Sequence, residues 1–452
     1  VAGLAGEAVI GINQSSGGLM SIERASRFPV RTALSGPAAG VVGAAHVARL
    51  AGSGDIITFD MGGTSTDVCL VREAKAEMTF GRDVAGFPVR MPAIDIHTIG
   101  AGGGSIAWFG PDGLLKVGPQ SAGAVPGPAC YVRGGTEPTV SDANVVLGRL
   151  PTTLLGGDMQ LDGEAARAVI APIAERLGVS VEQAALGIIA IVNANMMRAI
   201  RAVSIERGHD PRPFALMPFG GAGALHAVDV ARELGMRSIL IPASPGILCA
   251  EGLVAADLKE SFVATCRSPL SGDLGFVDEE LGRLARDAQS WWTSERISKA
   301  DADSQLVVDM RYVGQNYELG VAVPTHDGLR LPPREELARF FNAEHERSYG
   351  HHDATAPIEV VNLRLTAIGR LPDIGAPQFA GNPDAGPTGT RAVWFSGDGA
   401  VEASVWWRSD LAPGTTVQGP AVIEQLDATV PIPPDCQATV DANLNLVIGV
   451  RS

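Results

Sequence analysis

Residues 55–71 read D-I-I-T-F-D-M-G-G-T-S-T-D-V-C-L-V. An apolar run precedes the Gly62-Gly63 pair and an alternating run follows it, which is the pattern of a strand, a tight turn and a second strand. Asp60 stands at the end of the first apolar run. The stretch therefore predicts a β-hairpin with a turn of small residues and an acidic side chain at the end of its first strand.

The hairpin turn has the composition of a phosphate-binding loop. Glycines at Gly62 and Gly63 let the backbone approach a phosphate without a Cβ clash, and turn N–H groups can point at the anion. The hydroxyls of Thr64 and Ser65 add donors, and Asp60 is placed to hold hydrated Mg²⁺ or to orient an attacking water. We expect Asp60 and Thr64 to be catalytic, Asp60 to bind Mg²⁺ through water, and the turn to bind phosphate. The alternative is an ordinary Gly-Gly hairpin with surface hydroxyls.

Two further glycine turns follow along the chain. Residues 97–105 read H-T-I-G-A-G-G-G-S, and consecutive glycines between apolar strands indicate either close approach of a ligand at Gly102 and Gly103 or a bulge or tight crossing. Residues 219–226, F-G-G-A-G-A-L-H, follow a strand and open a helix, whose N-terminus favours negative charge. Close helix–strand packing is the alternative there. The predicted binding residues of this turn are Gly220, Gly221, Ala222 and Gly223.

Several smaller signals leave alternatives open. Asp95 and His97 flank Ile96 and could share one side of a strand, as a metal-binding or carboxylate–imidazole pair or as a structural histidine. Cys130 could be a nucleophile, but the sequence identifies no partner for it, and Asp142 is best interpreted as a helix cap. Three histidines near Tyr349 indicate a surface or interface rather than a metal site: His345, His351 and His352.

Composition excludes several classes of protein. The chain has 452 residues, 46% apolar and 19% charged, with a net charge of -15. Such a composition argues against disorder, and the acidic surface disfavours nucleic acid and anionic membranes. No uninterrupted apolar run approaches the roughly 20 residues of a bilayer span. Five scattered cysteines without a C-x-x-C pair favour reduced thiols, so we expect a cytoplasmic protein.

The order of elements predicts the fold class and four segments. Helix-like spacing at 182–208, a strand at 214–218, the glycine turn, a helix and a strand at 238–241 indicate a parallel α/β layer. We expect an α/β core over residues 1–258, an α+β domain over 259–372, a linker over 373–390 and a small β-rich domain over 391–452. The chain begins without Met and reads as sequence already inside a domain, so we expect a fragment, a processed product or one piece of a split protein.

The motifs taken together resemble one known family more specifically than any of them alone. The segments that carry the resemblance occur in this order: S-G-P-A-A-G (35–40), D-M-G-G-T-S-T-D (60–67), H-T-I-G-A-G-G-G-S (97–105), P-G-P-A-C-Y (126–131), P-T-V-S-D-A-N-V-V-L-G-R-L (138–150), V-S-I-E-R-G-H-D-P-R (203–212), F-G-G-A-G-A-L-H-A (219–227), Y-V-G-Q-N-Y-E-L (312–319), H-E-R-S-Y-G-H (345–351) and G-P-A-V-I-E-Q (419–425). With these segments the sequence resembles, nearly end to end, the hydantoinase A / 5-oxoprolinase / acetone carboxylase β-subunit family.

The resemblance implies an actin/hexokinase-like (ribonuclease H-like) ATP-binding fold, incomplete at its N-terminus. Residues 60–67 then look like the second phosphate loop and residues 220–223 like the adenosine-contacting loop. The family uses ATP with Mg²⁺, in places with an additional divalent metal, to phosphorylate a carbonyl or amide oxygen. Phosphoryl transfer of this kind needs mainly positioning and charge neutralisation. The resemblance also implies a small carbonyl substrate and a B-type partner subunit.

The sequence departs from the family pattern in three respects. A first phosphate loop of D-x-G-G-T type is expected N-terminal to residue 1, so another chain supplies it, this sequence lacks a part of the protein that carries it, or the protein cannot hydrolyse ATP alone. Ala224 stands where the family tends to have Pro, and Cys249 where it tends to have Ser. Three functions stay open: hydrolysis of a hydantoin or lactam, ATP-driven carboxylation of a ketone, and a truncated scaffold without catalytic activity.

Overall fold

The computed structural model describes residues 10–84, 86–324, 329–372, 375 and 381–450. The chain divides into two compact units. The larger unit comprises residues 15–17, 34–255 and 374–452, and the smaller unit comprises residues 1–14, 18–33 and 256–373. The predicted linker over 373–390 lies partly outside the described residues, and the predicted division into four segments stays a prediction.

A mixed sheet of nine strands forms the centre of the larger unit. In chain order, eight of them are β1 Ile56–Met61, β2 Thr66–Arg72, β3 His97–Ile99, β4 Ala215–Phe219, β5 Ser238–Ile241, β6 Thr416–Gln418, β7 Gln437–Val440 and β8 Leu446–Gly449. Across the sheet these eight follow one another in the order β3-β2-β1-β4-β5-β8-β7-β6, and the short strand Lys75–Ala76 pairs with β2. Strand β1 runs antiparallel to β2 and parallel to β4, which is in turn parallel to β5.

Helices cover both faces of this sheet, because its central strands are apolar on both sides. Ile57 and Phe59 of β1 belong to the core on one face, whereas Ile56, Met217 and Phe219 belong to the core on the other. The predicted α/β class is thus confirmed. The main helices of the unit are α1 Ser35–Leu50, α2 Val140–Val146, α3 Gly163–Leu177, α4 Val181–Val203, α5 Gly220–Glu233 and α6 Leu248–Ala255.

The parallel arrangement of β1 and β4 positions the glycine turns. Asp60 near the end of β1 is in register with Phe219, the last residue of β4. Parallel strands end at the same edge of a sheet, so the turn after β1 and the turn that opens α5 leave the sheet side by side.

The C-terminal region is rich in β-structure, as predicted, and it also extends the central sheet. Strand β8 pairs antiparallel with β5, and β7 and β6 continue the sheet beyond it. A separate four-stranded sheet comprises Gly389–Trp394, Ala400–Trp407, Ala421–Glu424 and Thr429–Ile432. The remaining two-stranded pairs of the unit are Met78–Thr79 with Ala93–Ile94, Arg82–Val84 with Phe87–Val89, Ser105–Phe109 with Leu115–Ser121, and Thr153–Leu154 with Met159–Gln160.

Helix α4 begins with a capping box, in which Ser180 accepts from the Gln183 amide and Gln183 accepts from the Ser180 amide. The segment Val181–Arg207 is long and apolar enough to cross a bilayer, which counting uninterrupted apolar runs overlooked. One face of α4 is buried in the core, and that burial accounts for its apolar character. A buried polar contact joins α4 to α5, where His226 Nδ1 lies 2.8 Å from Asn193 Oδ1.

The smaller unit has a six-stranded sheet with three helices, Ile22–Arg27, Gly275–Ser294 and Arg334–Tyr349. The strands, in sheet order, are Ile12–Asn13, Leu19–Met20, Leu258–Pro269, Ile358–Gly369, Ala302–Tyr312 and Leu319–Val323.

Candidate functional site

The predicted hairpin is present and its turn is joined to the second glycine loop. The Gly62 amide donates to the Ser65 carbonyl at 3.1 Å and closes the turn. Gly103 N donates to Gly62 O at 3.0 Å, and Gly104 N donates to Gly63 O at 2.7 Å. These two bonds align the loops side by side, so the two glycine-rich segments form one surface.

Close backbone contact is the reason for glycine at two of these positions. A Cβ on Gly102 would lie 2.6 Å from both the Gly63 carbonyl carbon and the Thr64 nitrogen. Gly220, at φ +73°, would place a Cβ 2.5 Å from Asp60 Oδ1 and from the Met61 carbonyl oxygen. Larger residues would push the three glycine segments apart.

The three glycine segments meet at one cavity of about 290 Å³. Among the predicted binding residues, the lining includes Gly62, Gly63, Gly103, Gly221 and Ala222. The lining also includes residues that the sequence analysis did not select: Tyr131, Ser141, Leu150, Leu154, Met159, Leu225, Gln425, Leu426, Asp427, Ala428 and Thr429.

The other predicted site residues surround this cavity without lining it. Thr64 is exposed and Ser65 half-buried at the tip of the hairpin. Gly102 and Gly220 make the close contacts described above, and a Cβ on Gly223 would lie 3.1 Å from the Phe59 carbonyl oxygen. These three glycines therefore shape the site from behind, whereas the lining glycines face the open space.

Free amides at the turn meet the requirements of an anion site. The Gly62 amide already donates to the Ser65 carbonyl, but the amides of Gly63 and Thr64 have no hydrogen-bond acceptor in the described structure. A Cβ on Gly62 or Gly63 would meet no atom within 4 Å. Gly221 and Ala222 lie in the first turn of the 14-residue helix α5, whose N-terminal amides carry partial positive charge. The residues present thus fit a phosphate-bearing ligand.

Asp60 is a strongly perturbed carboxyl group in the site. Its pKa is raised to about 6, chiefly by burial and also by the negative charge of Asp67, its partner across the hairpin. The Cys249 thiol, which donates to Asp60 Oδ2 at 3.5 Å, opposes this rise. A carboxyl group of this kind changes protonation near neutral pH and is suited to hydrated-metal binding or proton transfer.

A loop from the C-terminal region, residues 425–429, completes the cavity. Asp427 Oδ2 accepts from the Gly246 amide at 2.7 Å, and its Oδ1 accepts from Gln425 Nε2. Gln425 Oε1 accepts in turn from the buried Arg408 at 2.8 Å. Burial lowers the pKa of the Arg408 guanidinium to about 10. The G-P-A-V-I-E-Q motif was noticed in the sequence, but nothing in it showed that the residues after it reach the glycine loops.

Ser141 connects a helix start to the glycine loop. Its amide donates to the Gly103 carbonyl at 2.7 Å, in the first turn of α2. The start of α2 is a capping box formed by Thr139 and Asp142, so the interpretation of Asp142 as a capping residue is confirmed. Asp142 also accepts from the Cys130 amide at 2.8 Å. The capping pattern in the sequence thus locates the helix start from which Ser141 lines the cavity.

Two of the smaller sequence signals, the Asp95–His97 pair and Cys130, do not form reactive sites. Asp95 is ion-paired with Arg207, and it precedes the strand that His97 begins, so the prediction that both share one strand was wrong. Cys130 is buried, and burial with the neighbouring Asp142 strongly raises the pKa of its thiol, which disfavours a nucleophilic thiolate. In the part of the chain that the structure describes, no three His, Cys, Asp or Glu residues cluster as metal ligands.

Comparison with known proteins identifies the family. The Hydantoinase/oxoprolinase family model matches residues 5–262, and the Hydantoinase/oxoprolinase C-terminal domain matches residues 277–447. Caprolactamase subunit alpha from Pseudomonas jessenii is 38% identical over 442 residues, which cover 95% of this chain and 63% of that protein. The gamma subunit of acetophenone carboxylase from Aromatoleum aromaticum is 33% identical, with 91% of this chain and 59% of that protein covered.

A solved structure agrees with the fold. The crystal structure of ATP-dependent caprolactamase from Pseudomonas jessenii matches with a TM-score of 0.84 and 34% identity, covering 99% of this chain and 66% of that chain. The match confirms the α/β fold with its β-rich C-terminal region, and this fold agrees with the actin/hexokinase-like class. The chain spans just under two thirds of the length of the relatives compared here. The resemblance in the motifs is confirmed, and the chain belongs to the hydantoinase/oxoprolinase family.

Proposed function

We propose that this chain is the nucleotide-binding part of an ATP-dependent enzyme that opens a cyclic amide such as a lactam or hydantoin. The observation that carries the proposal is the convergence of three separate glycine segments on one cavity, at Gly62–Gly63, Gly103 and Gly221–Ala222. The similarity to a caprolactamase subunit over 95% of the chain supports the choice of substrate class.

The lining residues divide the work of binding. The free amides of Gly63 and Thr64 and the N-terminus of α5 donate to phosphate oxygens, and the small side chains leave room for them. Leu225, Leu154 and Met159 provide apolar surface that excludes water from the same cavity. ATP, when bound, supplies the phosphoryl group that makes an amide oxygen a better leaving or activating centre.

Asp60 is the proposed catalytic acid–base or metal-holding group. Its carboxylate would hold Mg²⁺ through water, and such a dication would stabilise the deprotonated form that burial disfavours. Thr64 is exposed at the hairpin tip, and we propose that its hydroxyl donates a hydrogen bond to the phosphoryl group during transfer. An additional divalent metal, which the family resemblance implies, is proposed as a second cofactor without an assigned site.

The test is release of ADP from ATP in the presence of a B-type partner subunit, which we propose as the assembly partner. A panel of caprolactam, 5-oxoproline and hydantoin is offered, with Asp60→Asn as the inactive control. Lactam-dependent ADP release that requires Asp60 supports the proposal. ADP release that is unchanged in Asp60→Asn removes that residue from the mechanism, and its absence even with partner present favours the scaffold alternative.

Carboxylation of a ketone is the second candidate function, favoured by the 33% identity to an acetophenone carboxylase subunit. Bicarbonate-dependent ADP release with acetone or acetophenone, and none with lactams, would select it. If ATP turnover requires a further chain, we propose that the further chain supplies the first phosphate loop. A cytoplasmic location is also proposed, because the five cysteines are free thiols.

A further inference from the structure

The smaller unit contains a cavity of about 380 Å³ that none of the glycine loops enters. Its most buried lining residues are Met310, Phe341 and His345, and exposed side chains, among them Tyr317 and Tyr349, stand at its opening. A concave site of this size with an apolar base is suited to a small organic ligand. Its chemistry is set by the few polar groups that line it.

His345 is the polar group at the base of this cavity and is only 6% exposed. Its Nδ1 lies 2.6 Å from the carbonyl oxygen of His351, an atom that can only accept. In the neutral ring Nδ1 therefore carries the proton and Nε2 carries a lone pair. No second hydrogen bond is found for this side chain among the described residues, and Nε2 is not one of the buried polar atoms that lack a partner, so this acceptor is accessible to a ligand in the cavity.

Aromatic neighbours fix the orientation of the His345 ring. The ring centroids of Tyr312 and Tyr349 lie 4.9 and 4.8 Å from it, and that of Phe341 lies at 5.7 Å. Tyr312 is itself anchored, since its hydroxyl accepts from the Asp353 amide at 2.7 Å. The acceptor is thus held in place before any ligand arrives, which reduces the entropic cost of binding.

Donors line the same cavity without adding an uncompensated charge. The Arg311 Nε donates to Glu359 at 2.6 Å, so the guanidinium is neutralised while its other N–H groups stay available as donors. The carboxamides of Gln315 and Asn316, both exposed, add further donors. A free carboxylate or a cation finds no unpaired counter-charge among these described groups.

We propose that this cavity binds an uncharged ligand with a secondary amide, whose N–H donates to His345 Nε2 and whose carbonyl accepts from Arg311 or its neighbouring carboxamides. The apolar remainder of the ligand packs on Met310 and Phe341. This inference does not depend on the proposed nucleotide site, because the lining contains none of its residues. A free cyclic amide and a peptide amide share the required chemistry.

The test is calorimetric titration of the full chain, without nucleotide, with 2-piperidone, N-methyl-2-piperidone and N-methylacetamide. We expect saturable binding of 2-piperidone and about tenfold or weaker binding of the N-methylated ring, which has no N–H to donate. Preference for the ring assigns the site to a free cyclic amide, and preference for the open chain assigns it to a peptide segment. Equal binding of the N-methylated ring, or tighter binding of benzoate or tetramethylammonium, overturns the proposal, as does no saturable binding of any amide.

Two variants and one spectroscopic measurement locate the ligand. His345→Phe keeps a ring but removes the acceptor, and it should lose about tenfold or more in affinity, whereas His352→Gln, on the same segment but outside the cavity, should not. If His345→Phe fails to fold, the ¹⁵N shift of His345 Nε2 in the unaltered protein must move on saturation with 2-piperidone. An unmoved shift overturns the proposal. Unchanged lactam binding in Gly221→Val separates this site from the nucleotide cavity.

Discussion

Asp60→Asn should stabilise the protein at alkaline pH while abolishing ATP turnover. The folded-state pKa of Asp60 is raised from 3.8 to about 6, chiefly by burial. The folded state therefore holds a proton that the unfolded state has released, and stability is lost as pH rises through the folded pKa. A difference of about two units corresponds to ~3 kcal/mol above pH 7, of which roughly half is already present at pH 5.

The assay is urea unfolding of both proteins from pH 5 to pH 8, in EDTA and without nucleotide. The stability of Asp60→Asn relative to the unaltered protein should increase by roughly 1–2 kcal/mol between these limits, since Asn has no proton to release. Asp158→Asn, at an exposed position, controls for the loss of one negative charge. A stability difference that stays constant over the pH range would refute the raised pKa and, with it, the electrostatic basis of the site.

Gly221→Val should weaken ATP binding by about tenfold or more, because the valine side chain would occupy part of the cavity that Gly221 lines, with its Cβ 3.9 Å from the Asp427 carbonyl oxygen. Calorimetric titration with ATP measures the affinity, and an unchanged affinity would move the site elsewhere. Gly102→Ala should cost about 2 kcal/mol of unfolding free energy by forcing its Cβ against the Gly63–Thr64 backbone, whereas Gly187→Ala, in open space within α4, should stabilise by up to ~1 kcal/mol; equal effects would contradict the close contact. Burial lowers the pKa of His226 to about 3, so the unfolded state binds the proton first and stability falls as pH drops below about 6.5. In urea unfolding, the loss of unfolding free energy between pH 7 and pH 5 should be about 2 kcal/mol smaller for His226→Gln than for the unaltered protein. Parallel pH profiles of the two proteins would exclude a buried neutral histidine.

Local sequence patterns predicted the elements that carry the site. The hairpin at residues 55–71 was predictable because strand periodicity and the Gly-Gly turn lie within a few residues of each other. The helix that opens within residues 219–226 was predictable for the same reason, and five predicted glycine-loop residues do line one cavity. What these patterns could not give is which glycines face the ligand and which pack behind it.

The missed residues depend on contacts between distant parts of the chain. Asp427 reaches Gly246 across 181 residues, and Cys249 reaches Asp60 across 189. No periodicity records such a contact, and the hydrogen bonds of Arg408 to Gln425, Ile241 and Leu444 are equally invisible in sequence. The raised pKa of Asp60 was likewise not predictable, because it depends on how much water the fold excludes.

The sheet order has a consequence for synthesis on the ribosome. The larger unit is interrupted in sequence by most of the smaller one, and strand β8 must find β5 after more than two hundred residues have been made. Domains tend to fold as their residues emerge, so residues 256–373 can gain structure while the nucleotide cavity still lacks its wall at 425–429. Until that wall emerges, the nascent chain has its glycine loops but no closed cavity between them, so binding at this site has to follow the synthesis of residues 425–429.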